Sequence, residues 1–359
     1  MKKSKIITAV AVCAVAVAAV SLVVLDAVKS GREYTHISVL MNTAVSARVE
    51  GKGAKNVGEE IFESIAALEN KLLSRHVELS AVSEVNDCTG SETVITLFSQ
   101  SDADGIVSDP AADFLNILSR CRTLGEDSGG AFNPLLGRLS DLWGFGTGHE
   151  RVPSDGEISA ALVGTNEPIE INGNAVKLPS NTVLDLGAVG KGVACDEARK
   201  LLAKSKVKSA VVSVGGSILL YGEGERFSVG IRDPFSQSGT ECFATLSLTA
   251  CCVSTSGSYE RYFESDGVTY HHILNPKTGK PADSGLVSVT VVCEDGFLSD
   301  ALSTACFVLG YEASLPLLEK YNAEAVFVTP EKKVLVTDGL RDSLGLEKDD
   351  FTVVDRQGK

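Results

Sequence analysis

The chain has 359 residues, with 33 Lys and Arg against 47 Asp and Glu, a formal charge of −14. So acidic a chain lacks the basic face that a nucleic-acid backbone requires, and no nucleic-acid partner is expected. Hydrophobic residues make up 44% and charged residues 22%, enough apolar side chain for a real core and far from the composition of disordered chains.

Lys2, Lys3 and Lys5 precede an uncharged run of twenty residues from Ile6 to Leu25. At about 1.5 Å per residue such a helix crosses a bilayer core of about 30 Å. The positive flank predicts that residues 1–5 stay in the cytoplasm and the remainder is sent outward. The globular part is therefore expected on the extracytoplasmic side of the cytoplasmic membrane, periplasmic or at the cell surface. Ala16-Val17-Ala18 fits a cleavage site, but the apolar run continues past it, which favours a retained anchor over a removed signal. The expected organisation is an anchor or signal over 1–28, a linker over 29–34, a globular domain over 35–345 and a tail over 346–359. Cys13 follows Val12, too bulky for a lipidation motif, and none of the nine cysteines has the CxxC spacing of a zinc or redox site. No disulfide is expected from spacing alone.

Residues 35–49 read as a strand. Ile61, Ile65, Leu68 and Leu72 fall at helical spacing within a predicted helix from Val57 to Leu73. Thr93–Phe98 reads as a strand, and Asp113–Leu124 as a helix with Phe114, Leu115, Leu118 and Cys121 facing inward. Ile169–Ile171 and Ala175–Leu178, joined through Asn172-Gly173, predict a hairpin with a type I′ turn. Further strands are predicted over Ala210–Val214, Phe227–Ile231, Ala244–Leu248, Val287–Cys293 and Ala325–Val328. Adjacent strand runs outnumber strand–helix alternations, which argues for an α+β fold over a βαβ barrel.

Several segments carry chemistry. LDLGAVGKG over 184–192 leads into an Ala-rich helix predicted from Val193, and glycine-rich helix starts beside a lysine suit phosphate. It is not a Walker loop, since Asp185 stands where that motif needs Gly and Gly192 where it needs Ser or Thr. Ser299 is a predicted N-cap, after which Asp300, Ser303 and Thr304 share one helix face, a hard oxygen set that suits Mg²⁺. The bland alternative is an Asp300 that merely favours the helix dipole. The run 254–259 brings small hydroxyl residues around Gly257, and in His271-His272 alternation lets only one histidine face a given site. GGAFNP and DLWGFG add an aromatic cluster around Trp143.

In order along the chain, LMNTAV, SAVSEVN, GGAFNP, DLWGFG, LDLGAVGKG, VSVGGSI, VGIRDP, TSGSYERYF, YHHILNPKTGKPA and SDALSTACFVLG resemble the ApbE family of FAD:protein FMN transferases. The resemblance covers about residues 38–340. It implies an extracytoplasmic, membrane-attached α+β protein with a tunnelling-fold-like core of mixed sheets and packed helices. It also implies Mg²⁺-dependent transfer of FMN from FAD to a Thr or Ser hydroxyl of a partner flavoprotein subunit, with release of AMP. By the same likeness, Asp300 and Thr304 would bind Mg²⁺ with help from Ser303 and the Ala188 carbonyl, and Lys191 would contact FAD. Asp185 would lie on the acceptor side, and Asp185 and His272 both stand as candidates for taking the acceptor's proton. Met41, Ala131, Phe132, Asn133, Thr255, Ser256, Gly257, Tyr259 and Ile273 match positions near the flavin nucleotide. His76 departs from the family, standing where many members carry a flavin-side tyrosine. The alternatives are a Mg²⁺-dependent FAD pyrophosphatase giving FMN and AMP, and a membrane-tethered FAD-binding protein without turnover.

Overall fold

The computed structural model of the chain describes residues 32–94, 100–101, 107–108 and 110–354. The expected membrane segment, most of the predicted strand Thr93–Phe98 and the last five residues lie outside the described residues. Among the described residues no helix is long and apolar enough to cross a membrane.

The helices are α1 (Ala54–Leu68), α2 (Ala81–Asp87), α3 (Pro110–Asp127), α4 (Gly137–Trp143), α5 (Asp155–Leu162), α6 (Gly190–Lys204), α7 (Gly296–Leu309) and α8 (Tyr311–Lys320). A nine-stranded sheet forms the middle layer. Its spatial order is Glu33–Leu40, Thr43–Lys52, Lys206–Val214, Ser217–Tyr221, Cys251–Gly257, Ser288–Cys293, Glu324–Val328, Lys333–Val336 and Thr352–Val354. All neighbours are antiparallel except the last pair, so the sheet is mixed, and the fold is α+β as expected.

Alternation along the strands assigns the two faces. Cys252 packs with Val45, Ile61 and Ala198 under α1 and α6, whereas Val253 packs with Phe243 and Val326 on the opposite face. That opposite face is covered by a small sheet of Phe227–Arg232, Cys242–Leu248 and Leu344–Leu346. Of the expected tail, Leu346 ends a strand of this small sheet and Thr352–Val354 edges the large one, while Phe351 is buried between them and stacks on Phe243 with ring centroids 4.4 Å apart. Beyond the helices, α2 and α3 close a second core around Phe114, Phe132, Phe297 and Phe307.

The stretch read as one strand over 35–49 is a hairpin. Leu40 pairs with Thr43, and the two loop residues Met41 and Asn42 have φ of 52° and 55°, the geometry of a type I′ turn made without glycine. The helix predicted over Val57–Leu73 is regular to Leu68 and continues as a π-helical turn over Glu69–Leu73. That turn swings Glu69 under the hairpin, where its Oε2 accepts the Met41 N–H at 2.7 Å. In the other predicted hairpin Asn172 remains paired with Ala175, so the loop is Gly173-Asn174, and of these two only Gly173 has positive φ. The turn therefore follows the glycine-first pattern instead of type I′.

Candidate active site

Two helix starts meet in the layer above the sheet. α6 and α7 cross so closely that a Cβ on Gly192 would stand 2.0 Å from the Gly296 carbonyl oxygen, and one on Gly296 would stand 2.4 Å from that of Gly192. Each helix carries an aspartate four residues after its glycine, and each aspartate caps the other helix. Asp300 Oδ2 accepts the Gly192 N–H at 3.0 Å, and the Asp196 carboxylate accepts the Gly296 and Phe297 N–H groups at 2.7 and 2.8 Å. The dipole at each helix start thus faces a carboxylate from its neighbour. Burial, with Asp295 beside it, still pushes the Asp196 carboxyl above its ordinary value.

Both helix starts lie earlier than the sequence suggests. α7 is capped by Asp295, whose side chain accepts the Leu298 N–H at 2.8 Å, and Ser299 instead donates to the Gly296 carbonyl at 2.9 Å inside the first turn. Asp300 therefore does not serve its own helix start. α6 opens at Gly190, which makes Lys191 and Gly192 helical. Because the Gly192 N–H turns to Asp300, the Ala188 carbonyl that would otherwise accept it receives no N–H or O–H among the described residues.

Asp300 is only 3% exposed, and its Oδ1 lies 3.3 Å from Lys191 Nζ. Lys191 also donates to the Gly187 carbonyl at 3.4 Å, so it is held over the loop and not merely solvated. Thr304 stands one turn beyond Asp300. Ser256 Oγ lies 2.7 Å from Ser303 Oγ and 3.2 Å from Thr304 Oγ1, while Ser303 donates to the Asp300 carbonyl at 2.8 Å. Ser303 therefore ties helix to strand, while the Asp300 carboxylate and the Thr304 hydroxyl, four residues apart, share one face of α7 as hard oxygen donors. Such a set fits Mg²⁺, which keeps waters and takes further ligands from a phosphate. No group of three or more His, Cys, Asp or Glu side chains suited to a metal occurs among the described residues. The oxygen set is thus not part of a histidine or thiolate centre.

The remaining predicted residues divide into those brought to this point and those that are not. Met41 reaches it: its Cε would stand 3.2 Å from a Cβ on Gly190, at the start of α6. His272 is half-buried beside Arg261 and Lys191, and burial followed by these cations pushes its pKa down to about 3. Its Nδ1 lies 3.3 Å from the Arg261 carbonyl, which assigns the proton to Nδ1 and leaves Nε2 bare. His271 turns away to the Ala282 carbonyl at 3.0 Å and packs edge-on to Phe307, so one histidine of the pair faces the site, as alternation requires. Asp185 is held twice, its Oδ1 accepting the Gly187 N–H at 2.8 Å and its Oδ2 accepting Arg75 Nε–H at 3.0 Å.

Thr255 projects to the other sheet face, with its Oγ1 2.9 Å from Thr290 Oγ1, and so does not join Ser256. Tyr259 packs directly against Gly257, where a Cβ would stand 2.4 Å from its ring, and receives Arg232 over its face at 4.9 Å. Burial pushes its phenol up to about 12. Ala131, Phe132 and Ile273 are buried in the core. Asn133 bonds the Thr165 carbonyl at 2.9 Å and the Leu135 N–H at 2.8 Å, serving the loop. His76 is exposed, its N–H donating to Ser74 Oγ at 3.3 Å.

Asp196, Arg75 and Glu69 escaped the sequence reading. Only Asp196 left a trace there, the Gly-x-x-x-Asp spacing repeated at 192–196 and 296–300.

Fold and site together define an α+β protein in which a buried aspartate and a lysine meet where two glycine-bearing helix starts cross. Residues 41–327 match the sequence model that defines the ApbE family. The chain is 34% identical over 335 residues to the FAD:protein FMN transferase of Treponema pallidum, covering 87% of this chain and 88% of the relative. It is 30% identical over 315 residues to the enzyme of the same name from Escherichia coli K12, covering 83% and 85%. Among solved structures it resembles the ApbE protein of Thermotoga maritima with a TM-score of 0.75 and 29% identity, over 86% of this chain and 98% of that one. The flavinyl transferase ApbE of Pseudomonas stutzeri gives a TM-score of 0.68 and 29% identity, over 84% and 92%. The chain belongs to the ApbE family.

Proposed function

We propose that the chain is a Mg²⁺-dependent FAD:protein FMN transferase, breaking the FAD pyrophosphate and joining FMN by a phosphoester to a Thr or Ser hydroxyl of a partner flavoprotein subunit, with release of AMP. The meeting of Asp300 and Lys191 at the crossing of α6 and α7, with Thr304 one turn further along α7 and an Ala188 carbonyl that receives no donor among the described residues, carries this reading. A divalent ion held by those oxygens supplies charge neutralisation as the phosphorus–oxygen bridge breaks. Lys191 adds a positive charge from the protein, fixed by Asp300 and Gly187 so that it need not reorganise during the reaction.

For the acceptor proton, His272 is favoured over Asp185. Its Nε2 carries no proton and so can accept one, as a weak base with a pKa of about 3, whereas both Asp185 oxygens are engaged by Gly187 and Arg75. The residues that line the crossing then bind and orient the pyrophosphate, and His272 receives the hydroxyl proton. The uncharged run after Lys5 would tether the enzyme to the cytoplasmic membrane with this domain outside.

The test is incubation of the protein with FAD and Mg²⁺, with and without a flavin-acceptor protein. AMP release that requires the acceptor, with an FMN-sized mass increase on it, supports transfer. AMP without acceptor identifies a pyrophosphatase, and intact FAD a binding protein. An Asp300→Ala variant that still cleaves FAD at the normal rate would refute the metal assignment.

A further inference from the structure

The segment after the π-helical turn delivers a side chain that no motif announces. Arg75 is only 14% exposed, and its guanidinium is engaged on both sides. Nε donates to Asp185 Oδ2 at 3.0 Å, while Nη1 and Nη2 donate to Asp141 Oδ2 and Oδ1 at 3.0 and 2.7 Å. This fork ties together three separate stretches: the loop after Leu73, the α4 helix that carries Asp141, and the loop before α6. A planar guanidinium holds such a pair with fixed geometry that a lysine cannot reproduce. Burial alone would lower the Arg75 pKa, but its two carboxylates outweigh that and raise it, so the clamp remains charged.

Asp185 passes the restraint onward. Its Oδ1 accepts the Gly187 N–H, the Gly187 carbonyl accepts from Lys191, and the next residue is Ala188, four before Gly192, whose N–H goes to Asp300. We propose that Arg75 is a positioning residue for the divalent-cation site: anchored by Asp141, it fixes Asp185 and with it the Gly187-Ala188 turn, so that the Ala188 carbonyl is aimed at the point served by Asp300 and Thr304. The same clamp holds α4 against the loop before α6. This inference rests on the cation reading above, and the experiment separates the two.

Mn²⁺ serves as the probe, its binding to the full chain followed by the electron paramagnetic resonance signal of the free ion without nucleotide present. Arg75→Met is expected to weaken Mn²⁺ binding by about tenfold, the low end for loss of an outer partner of a metal ligand. Asp141→Asn, an isosteric change at the outer end of the clamp, weakens it in the same direction by less. The double variant is no worse than Arg75→Met alone, because both act through one path. Turnover lost in Arg75→Met returns as Mg²⁺ is raised, a change in metal requirement and not in the limiting rate. Unchanged Mn²⁺ affinity in both single variants, or a turnover loss that no Mg²⁺ concentration restores, overturns the proposal. If Asp300→Ala itself binds Mn²⁺ normally, the cation reading has failed. If Asp300→Ala abolishes binding while Arg75→Met and Asp141→Asn leave it intact, only the positioning role has failed.

Discussion

In the proposed transfer His272 takes the acceptor's proton, so the state of its ring sets the pH response. Its pKa of about 3, against an ordinary 6.5, keeps the imidazole neutral across the physiological range. The transfer rate is therefore expected to show no acid limb near pH 6.5, and His272→Gln to lose at least a hundredfold in acceptor-dependent turnover while FAD binding persists, as rate and binding assays would separate. Stability follows the same shift. A group with a depressed folded pKa leaves the unfolded chain binding more protons between the two values, so its contribution is complete above pH 6.5 and is lost as pH falls toward 3. Denaturant titrations should show a shallower acid decline for His272→Gln than for the parent chain; parallel curves would contradict the assignment. Alternation lets only one histidine of the pair face a given site, and in the structure His271 turns to the Ala282 carbonyl while His272 lies beside Lys191. The sequence left the choice between His272 and Asp185 open because Arg75, which engages Asp185, lies 110 residues earlier. No local pattern encodes a contact across that distance.

At the scale of elements, the crossing of α6 and α7 decides the geometry. Gly192→Ala would place a methyl against the Gly296 backbone, with no flexible side chain to yield. The expected loss is about 3 kcal/mol or more, at the upper end for overpacking, readable as a lowered denaturation midpoint with an unchanged slope. Asp196→Ala removes the acceptor of the Gly296 and Phe297 amides and should cost about 1–2 kcal/mol by the same measurement. A neutral outcome for either would show that the helices part more readily than the close contact implies. The elements themselves were largely legible, because apolar spacing marks α1, α3 and the central strands. Their ends were not. Ser299 looks like a cap, but the Asp295 carboxylate takes that place, and Gly192 lies inside α6 because close packing against α7 outweighs its poor helix propensity. Met41-Asn42 hid its turn by lacking glycine, and Glu69 supplies the bond that holds it.

Across the whole molecule, the net charge of −14 sets an unfavourable background for a dinucleotide. Positive charge has to be local, and in the proposed reading Lys191 and a bound cation would provide it. A ligand that binds only the folded state stabilises it by mass action, about 2.7 kcal/mol at a hundredfold excess over its dissociation constant. Millimolar Mg²⁺ is therefore expected to raise the melting temperature by several degrees, chelator to reverse this, and Asp300→Ala to abolish the response; a calorimetric scan that ignores Mg²⁺ in the parent chain would count against the site. The three-layer architecture follows from strand alternation, which assigns Cys252 to one face and Val253 to the other. The place of the last strand was not legible, since Thr352–Val354 joins the sheet in parallel after a long excursion.

The exchanged caps between α6 and α7 tie two stretches about a hundred positions apart into one thermodynamic unit. Neither helix start can fray without stripping an acceptor from its neighbour, so the Gly192 and Gly296 amides should trade their protons for deuterium in lockstep, at a rate governed by a shared opening event. A nascent polypeptide that has folded only as far as α6 would still lack one half of this handshake, and the surface proposed to bind the nucleotide should form only once the final third has docked.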